Sequence, residues 1–429
     1  MDTKHKHAPI KLDTAKSWLV VMSSSLLFFY TFFILNILST ISKEVMATFQ
    51  IGPTEMGFMS SMYFYSNFIL LFPGGLLLDR LSTKKIVLFA MACGVIGLFG
   101  FAYSTDIYVA STFRFLSGIS GSFCLTANVR LASKWFSTHR LALVIGVIIT
   151  FAMLGGFLAQ APAAYLTKLH GWRMMMTIFS ILGVVFWVWM SIFIKDWPKH
   201  WEEKEQAEEV EHLGFKTSIK KVLKNRFNWL GGIYTSFINL PIFILGALWG
   251  FRYLTDALKF SEQEASYINS LLFLGAILGG PAIGWLSDKI ERRKIPMIIG
   301  AILSFIVVMM IIYAPMANFV YLGTLFFLLG FLSSSQSLGY PIVCELNSPL
   351  FTATANSIVS GLVVAGGFVF QPLFGWLMQI TMSTSVDLAT AIFSLADFQR
   401  AMTVLPVAFV ISIICSFFLR ETYCKYIYK

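Results

Sequence analysis

Twelve runs of mostly apolar residues, each near twenty residues long, constrain this chain more than any motif in it. They fall at about 18–40, 55–78, 86–104, 107–133, 141–166, 174–194, 229–252, 267–286, 296–314, 319–345, 355–379 and 401–419 of the 429 residues. A bilayer core about 30 Å thick takes roughly 20 helical residues to cross, and lipid cannot hydrogen-bond an open backbone. Runs of this length therefore read as transmembrane helices. Charge is correspondingly scarce, at 13% of residues, about half the share of a soluble domain.

The net charge of +10 would suit a nucleic-acid binder, but the basic residues sit in the connections between apolar runs, where a membrane topology puts them. With the N-terminus inside, the inner connections hold 24 of the 32 lysines and arginines, while the outer ones hold only Lys43, Lys168, Arg173, Arg252, Lys259 and Arg400. Both termini are expected in the cytoplasm, and an even number of spans agrees. The basic tail before the first run lacks a small-residue cleavage site, so the first helix is expected to stay. His5 and His7 in that tail leave most of a metal's coordination shell unfilled. The five cysteines have no paired spacing and read as small packing residues.

Two stretches repeat. Gly75, Asp79, Arg80, Lys84 and Lys85 return 209 residues later as Gly284, Asp288, Lys289, Arg293 and Lys294, with Arg292 added to the second basic cluster. Gly155-Gly156-Phe157-Leu158-Ala159-Gln160, followed by Pro162, returns 211 residues later as Gly366-Gly367-Phe368-Val369-Phe370-Gln371, followed by Pro372. Two echoes at nearly one offset imply a parallel duplication of six helices. The expected fold is an all-α membrane protein, with twelve transmembrane helices in two pseudo-symmetric six-helix bundles. The division runs as a cytoplasmic tail at 1–17, a first bundle at 18–194, a cytoplasmic linker at 195–228, a second bundle at 229–419 and a cytoplasmic tail at 420–429. The linker's charged run favours a solvated amphipathic helix over a catalytic carboxylate cluster.

The stretch from Gly75 to Lys85 resembles the signature between helices 2 and 3 of the major facilitator superfamily, and that from Gly284 to Lys294 resembles its copy between helices 8 and 9. Ser82 and Glu291 stand where the family has its second glycine. The resemblance implies that these loops help close the cytoplasmic gate, with Gly75, Asp79, Arg80, Lys84, Lys85, Gly284, Asp288, Lys289, Arg292 and Arg293 as its parts. Arg114 through Gly121 is similar to the family's fourth-helix motif, although Ser117 replaces a common glutamine.

A charge inside the membrane is costly, so Arg114 is a candidate anion partner or modulator of proton movement, with hydrogen bonding to carbonyls as the competing role. At 100° per residue Arg130 points nearly opposite Arg114, toward snorkelling or bracing the gate. Glu345 could take a coupling proton or sit in a gate ion pair. The remaining polar residues expected to bind substrate are Tyr30, Asn36, Tyr63, Asn67, Asn128, Gln160, Asn239, Gln336, Tyr340 and Gln371; Thr235 shares a face with Asn239, and interhelical hydrogen bonds compete for each. The resemblance implies that helices 1, 4, 7 and 10 line the cavity.

No serine cluster has a His/Asp partner at its depth, and no glycine-rich loop has the spacing for ATP. A secondary carrier is expected rather than an enzyme, with no cofactor and no metal, in the inner membrane of a bacterium. It would work as a monomer, moving a small carboxylate-bearing solute such as an amino acid, short peptide or organic acid, with proton coupling open. The region from Tyr63 to Arg80 is also similar to bacterial carriers of the phagosomal-transporter and organic-acid groups. A drug/proton antiporter and a non-transporting sensor on a carrier scaffold are the alternatives.

Overall fold

The computed structural model describes residues 14–136, 138–196, 222–347, 352–380, 393–425 and 427. The N-terminal tail before residue 14, most of the linker, the interior of the 380–400 loop, the surroundings of Gly75 and the side chains of Asp79 and Arg80 lie outside the described residues.

Every span expected from the apolar runs is helical, and no strand occurs among the described residues. In chain order the spans are Ala15–Phe49, Pro53–Arg80, Thr83–Tyr103, Ile107–Trp135, Thr138–Leu158 continued as Ala161–His170, Trp172–Phe193, Arg226–Ala257, Glu262–Lys289, Lys294–Tyr313, Phe319–Glu345, Thr352–Gln379 and Leu395–Phe418. Ten are long and apolar enough to cross a bilayer by composition alone. The fourth, at 29 residues, is long enough but more polar, as a helix buried among other helices can be, and the second, at 28 residues, includes side chains outside the described residues. Their ends carry ordinary stop signals. Pro53 opens the second span, Asp106 accepts from the Tyr108 amide at 2.9 Å, and Ser261 and Glu264 form a capping box at the eighth.

Packing repeats across the halves. First on fifth, second on fourth, third on sixth is matched by seventh on eleventh, eighth on tenth, ninth on twelfth. The halves meet through three pairs, second with eleventh, fifth with eighth, and first with seventh. An even number of spans puts both ends of the membrane domain on one face, here called the terminal face; the other is the distal face.

Three spans break at mid-depth, each beside a proline that lacks an N–H and crowds the carbonyl four residues back. In the seventh, Pro241 precedes a π-helical stretch, Ile242–Trp249. The fifth breaks at Gln160 ahead of Pro162, and the tenth narrows to a 3-10 segment, Ser334–Leu338, ahead of Pro341.

The halves touch from the distal rim to just past mid-depth. Thr54 donates to Gln379 at 2.5 Å, and a Cβ on Gly375 would collide with the Pro53 carbonyl. Deeper, Phe368 stacks on Tyr65 at 4.9 Å. The hydrogen bonds between the halves at Thr54–Gln379, Gln160–Gly246, Ala161–Ser270 and Ser39–Asn269 all lie on the distal side.

Candidate functional site

At the terminal face the repeated loops are tied inside their own halves. Arg293 forms ion pairs with Asp288 at 2.6 Å and with Glu345 at 2.9 Å, while its own amide and that of Lys294 donate to Glu421 at 2.8 and 3.2 Å. Thr422 also donates to Glu345. Partial burial pulls the Arg293 guanidinium down, but the bonds from Glu345 and Asp288 outweigh it and hold it above its ordinary value. The first half repeats the plan. Asp196 accepts from the Lys84 amide at 2.8 Å and from Ser82, and Lys84 Nζ reaches the Ser191 carbonyl at 2.6 Å. An acidic residue just past the last span of each half thus caps the third helix of that half. Lys289 and Arg292 lie over the rings of Trp285 and Tyr423, and a Cβ on Gly284 would meet nothing. Glu345, one of two roles open to it, is held in an ion pair within one half.

Most mid-depth residues of the first half turn into that half. Arg114, 3% exposed, donates to the carbonyls of Ile34 at 2.6 Å and Leu35 at 3.0 Å, lies 5.1 Å over the Tyr63 ring, and leaves Nε unpaired. Asn128 accepts from Ser24 at 2.5 Å and donates to the Cys124 carbonyl at 2.6 Å. Tyr30 packs against Gly183 of the sixth span, and Tyr63 and Asn67 pack against Gly118 and Gly121 of the fourth. Arg130 is half-buried in the terminal half of the fourth span. In the second half Gln336 and Tyr340 are half-buried and Asn239 is 5% exposed, while Thr235 bonds to the Gly231 carbonyl and reaches the Gln336 carbonyl. These four surround the breaks in the seventh and tenth spans.

A buried amide cluster joins the halves on the distal side of mid-depth. Gln160 donates to the Gly246 carbonyl at 3.1 Å and accepts from Asn269 at 2.8 Å. Asn269 also lies 3.1 Å from Ser39 Oγ and 3.4 Å from the Leu245 carbonyl. Gln371 donates to the Phe243 carbonyl at 2.9 Å. Asn36, whose Nδ2 bonds to the Phe32 carbonyl at 2.7 Å, borders the cluster through Gly156. Asn269 escapes a search for polar residues paired at i, i+4, because it is the one carboxamide in an apolar stretch of the eighth span. Arg252 escapes differently: it reads as an outer-loop residue, yet it is 3% exposed, paired with Asp256 at 2.7 Å and within 2.9 Å of Met46 Sδ across the interface.

A groove of about 720 Å³ lies at the distal rim between the fifth and eighth spans. Its walls include Tyr165, Lys168, Glu262 and Tyr267, far along both helices from the mid-depth residues.

Over residues 21–252 and 237–423 the chain matches the Major Facilitator Superfamily family profile. It is 23% identical over 408 residues to the probable galactarate/D-glucarate transporter GudP of Escherichia coli K12, covering 84% of this chain and 88% of the relative. It is 25% identical over 343 residues to the cis,cis-muconate transport protein of Acinetobacter baylyi, covering 78% and 79%. Among solved structures, a bacterial homologue of the human lysosomal transporter Spinster, inward-facing and unoccupied, superposes with a TM-score of 0.76 at 14% identity, covering 95% of this chain and 98% of that one. A family match that runs through both halves, on a fold whose two six-helix bundles repeat each other's contacts, means that the chain belongs to the Major Facilitator Superfamily.

Proposed function

We propose that this secondary transporter carries a small organic acid across the cytoplasmic membrane of a bacterium, with both termini in the cytoplasm. The observation that supports an anionic solute is where charge lies. Among the described residues the acidic side chains of the spans sit toward their ends, at Glu44, Glu55, Asp256, Glu262, Glu264, Asp288, Glu345 and Asp397, whereas Arg114 is buried well inside. A cationic solute would find no counter-charge at mid-depth, and a carboxylate would not meet repulsion there. The curated relatives point the same way, since galactarate, glucarate and muconate all carry carboxylates.

Alternating access follows from the contacts. With the halves joined on the distal side, a solute enters or leaves by the terminal face, and rocking the bundles exchanges the open side. Asn239, Gln336 and Tyr340, at the breaks of the seventh and tenth spans, are our candidates for holding the solute's hydroxyl and carboxylate groups. The side chains of Arg114 and Asn128 are already engaged within the first half and act on the solute through charge and shape. Coupling to protons would then use a carboxylate of the solute or the Arg293 and Glu345 region.

Uptake into proteoliposomes tests the reading. Accumulation of labelled galactonate, glucarate or muconate, without accumulation of neutral galactose, is the expected result. Uptake of neutral sugars or of cations in place of acids would overturn it. Insensitivity of acid uptake to an imposed pH gradient would exclude proton symport.

A further inference from the structure

The π-helical stretch of the seventh span is gripped from two sides. Gln160 of the fifth span and Gln371 of the eleventh donate to the carbonyls of Gly246 and Phe243, three residues apart on that stretch. These glutamines close the two copies of the Gly-Gly-Phe echo, and the glycines explain why they arrive there. In each copy the first glycine lies against an opening helix, Gly155 against Phe29 of the first span and Gly366 against Ser236 of the seventh. The second meets an aromatic ring from the other half, Gly156 meeting Phe273 and Gly367 meeting Phe64. Phe64 and Phe273 are themselves 209 residues apart, so the two interfaces are copies of one design.

The symmetry breaks in two ways: Gln160 donates across to the second half whereas Gln371 donates within it, and only the Gln160 arm carries a second carboxamide. Asn269 of the eighth span pairs Gln160 Oε1 by donating to it and also reaches Ser39 of the first span, so two bonds from it cross the interface, while its own Oδ1 stays buried and unpaired. Its counterpart 209 residues earlier is Ser60, whose side chain reaches one bond less far. There the amide arm stays incomplete: Gln371 Oε1 and Ser60 Oγ are both buried and unpaired. The antiparallel register, with Gly57 against Gln371 and Phe64 against Gly367, puts Ser60 within a turn of Gln371.

We propose that this amide clasp on the π-helical seventh span is the catch that keeps the distal face closed, that Asn269 is its positioning residue, and that Ser60 leaves one arm weak so that the catch can release. A π-helical turn is a frequent mark of a functional hinge, and hydrogen bonds that cross an interface hold its members in one geometry. An unpaired buried acceptor opposite a short serine instead lowers the cost of leaving that geometry. The proposal rests on alternating access but not on the identity of the solute.

The test reads access to the distal interface without any substrate. In a protein whose five native cysteines are replaced, Ser270→Cys, at a position 3% exposed between the fifth and eighth spans, reports labelling by a membrane-impermeant maleimide added from the distal side. Asn269→Leu and Gln371→Leu are each expected to raise the labelling rate at least fivefold. Gln371 touches neither labelled helix, so its effect would not be local damage. Ser60→Asn, which supplies the missing carboxamide, is expected to lower labelling and to slow the maximal uptake rate while leaving KM within about twofold. Unchanged labelling in Asn269→Leu and Gln371→Leu overturns the catch, whatever Ser60→Asn does. A change confined to KM, with labelling unchanged, would instead make these amides substrate contacts.

Discussion

Arg114 shows how a buried charge can be read correctly by type and differently by direction. Its residue type marks it as exceptional in a membrane, and the structure seats it on two carbonyls of the first span. Hydrogen bonds to a charged group are worth about 1.5–3 kcal/mol each. Arg114→Met should therefore lower the apparent melting temperature in detergent by several degrees. Arg114→Lys should recover part of that loss, because one ammonium cannot reproduce the planar fork. If the buried charge also sets solute preference, Arg114→Lys should keep most acid uptake while Arg114→Met loses it, measured on equal amounts of inserted protein. Glu345 offers a second residue-scale test. Removing one partner of a buried ion pair costs about 3–5 kcal/mol, so Glu345→Gln should destabilise the protein more than the double change Glu345→Gln with Arg293→Gln departs from the sum of the singles. A double-mutant cycle in thermal stability checks it.

At the scale of elements, what was legible was what repeats or what lipid enforces. All twelve apolar runs are helices, and the Gly-Gly-Phe echo proved to be a place where helices approach closely, whereas Gly284 of the other echo faces open space. What a helical wheel missed was direction. Tyr30 and Asn128 share a face with plausible cavity positions, yet their neighbours Gly183 and Ser24 belong to their own bundle. A wheel gives an angle around one axis and says nothing of which neighbour stands there. Regular periodicity also fails inside the seventh span, where five-residue hydrogen bonding re-aims every side chain after Pro241. That is why Arg252, assigned to a loop by counting, is buried against the first span. The glycines on the second and eleventh spans yield a prediction of their own. Gly375→Leu would put a side chain into the Pro53 carbonyl and hold the distal rim apart. Uptake should fall by more than tenfold while distal labelling of Ser270→Cys rises.

For the molecule as a whole, motion between bundles is the property to test. Thr54→Cys with Gln379→Cys replaces a hydrogen-bonded pair across the distal rim. Cross-linking that pair should stop uptake, and reduction should restore it; uptake that survives complete cross-linking would mean that the distal rim need not open. The sequence marked the two halves through their repeats, but not which side they meet on, because that depends on contacts between segments 86 to 325 residues apart.

Asp196 and Glu421 carry a further meaning for assembly. Each half ends in a carboxylate that fastens its own third helix, so each six-helix unit is buttoned shut by residues it encodes itself. Neither fastening uses a residue of the segment that joins the halves, 197–221. Two polypeptides divided between residues 197 and 221 and expressed together should find each other through the distal interface and reconstitute uptake, and Asp196→Ala should impair the first fragment before it harms the unbroken chain.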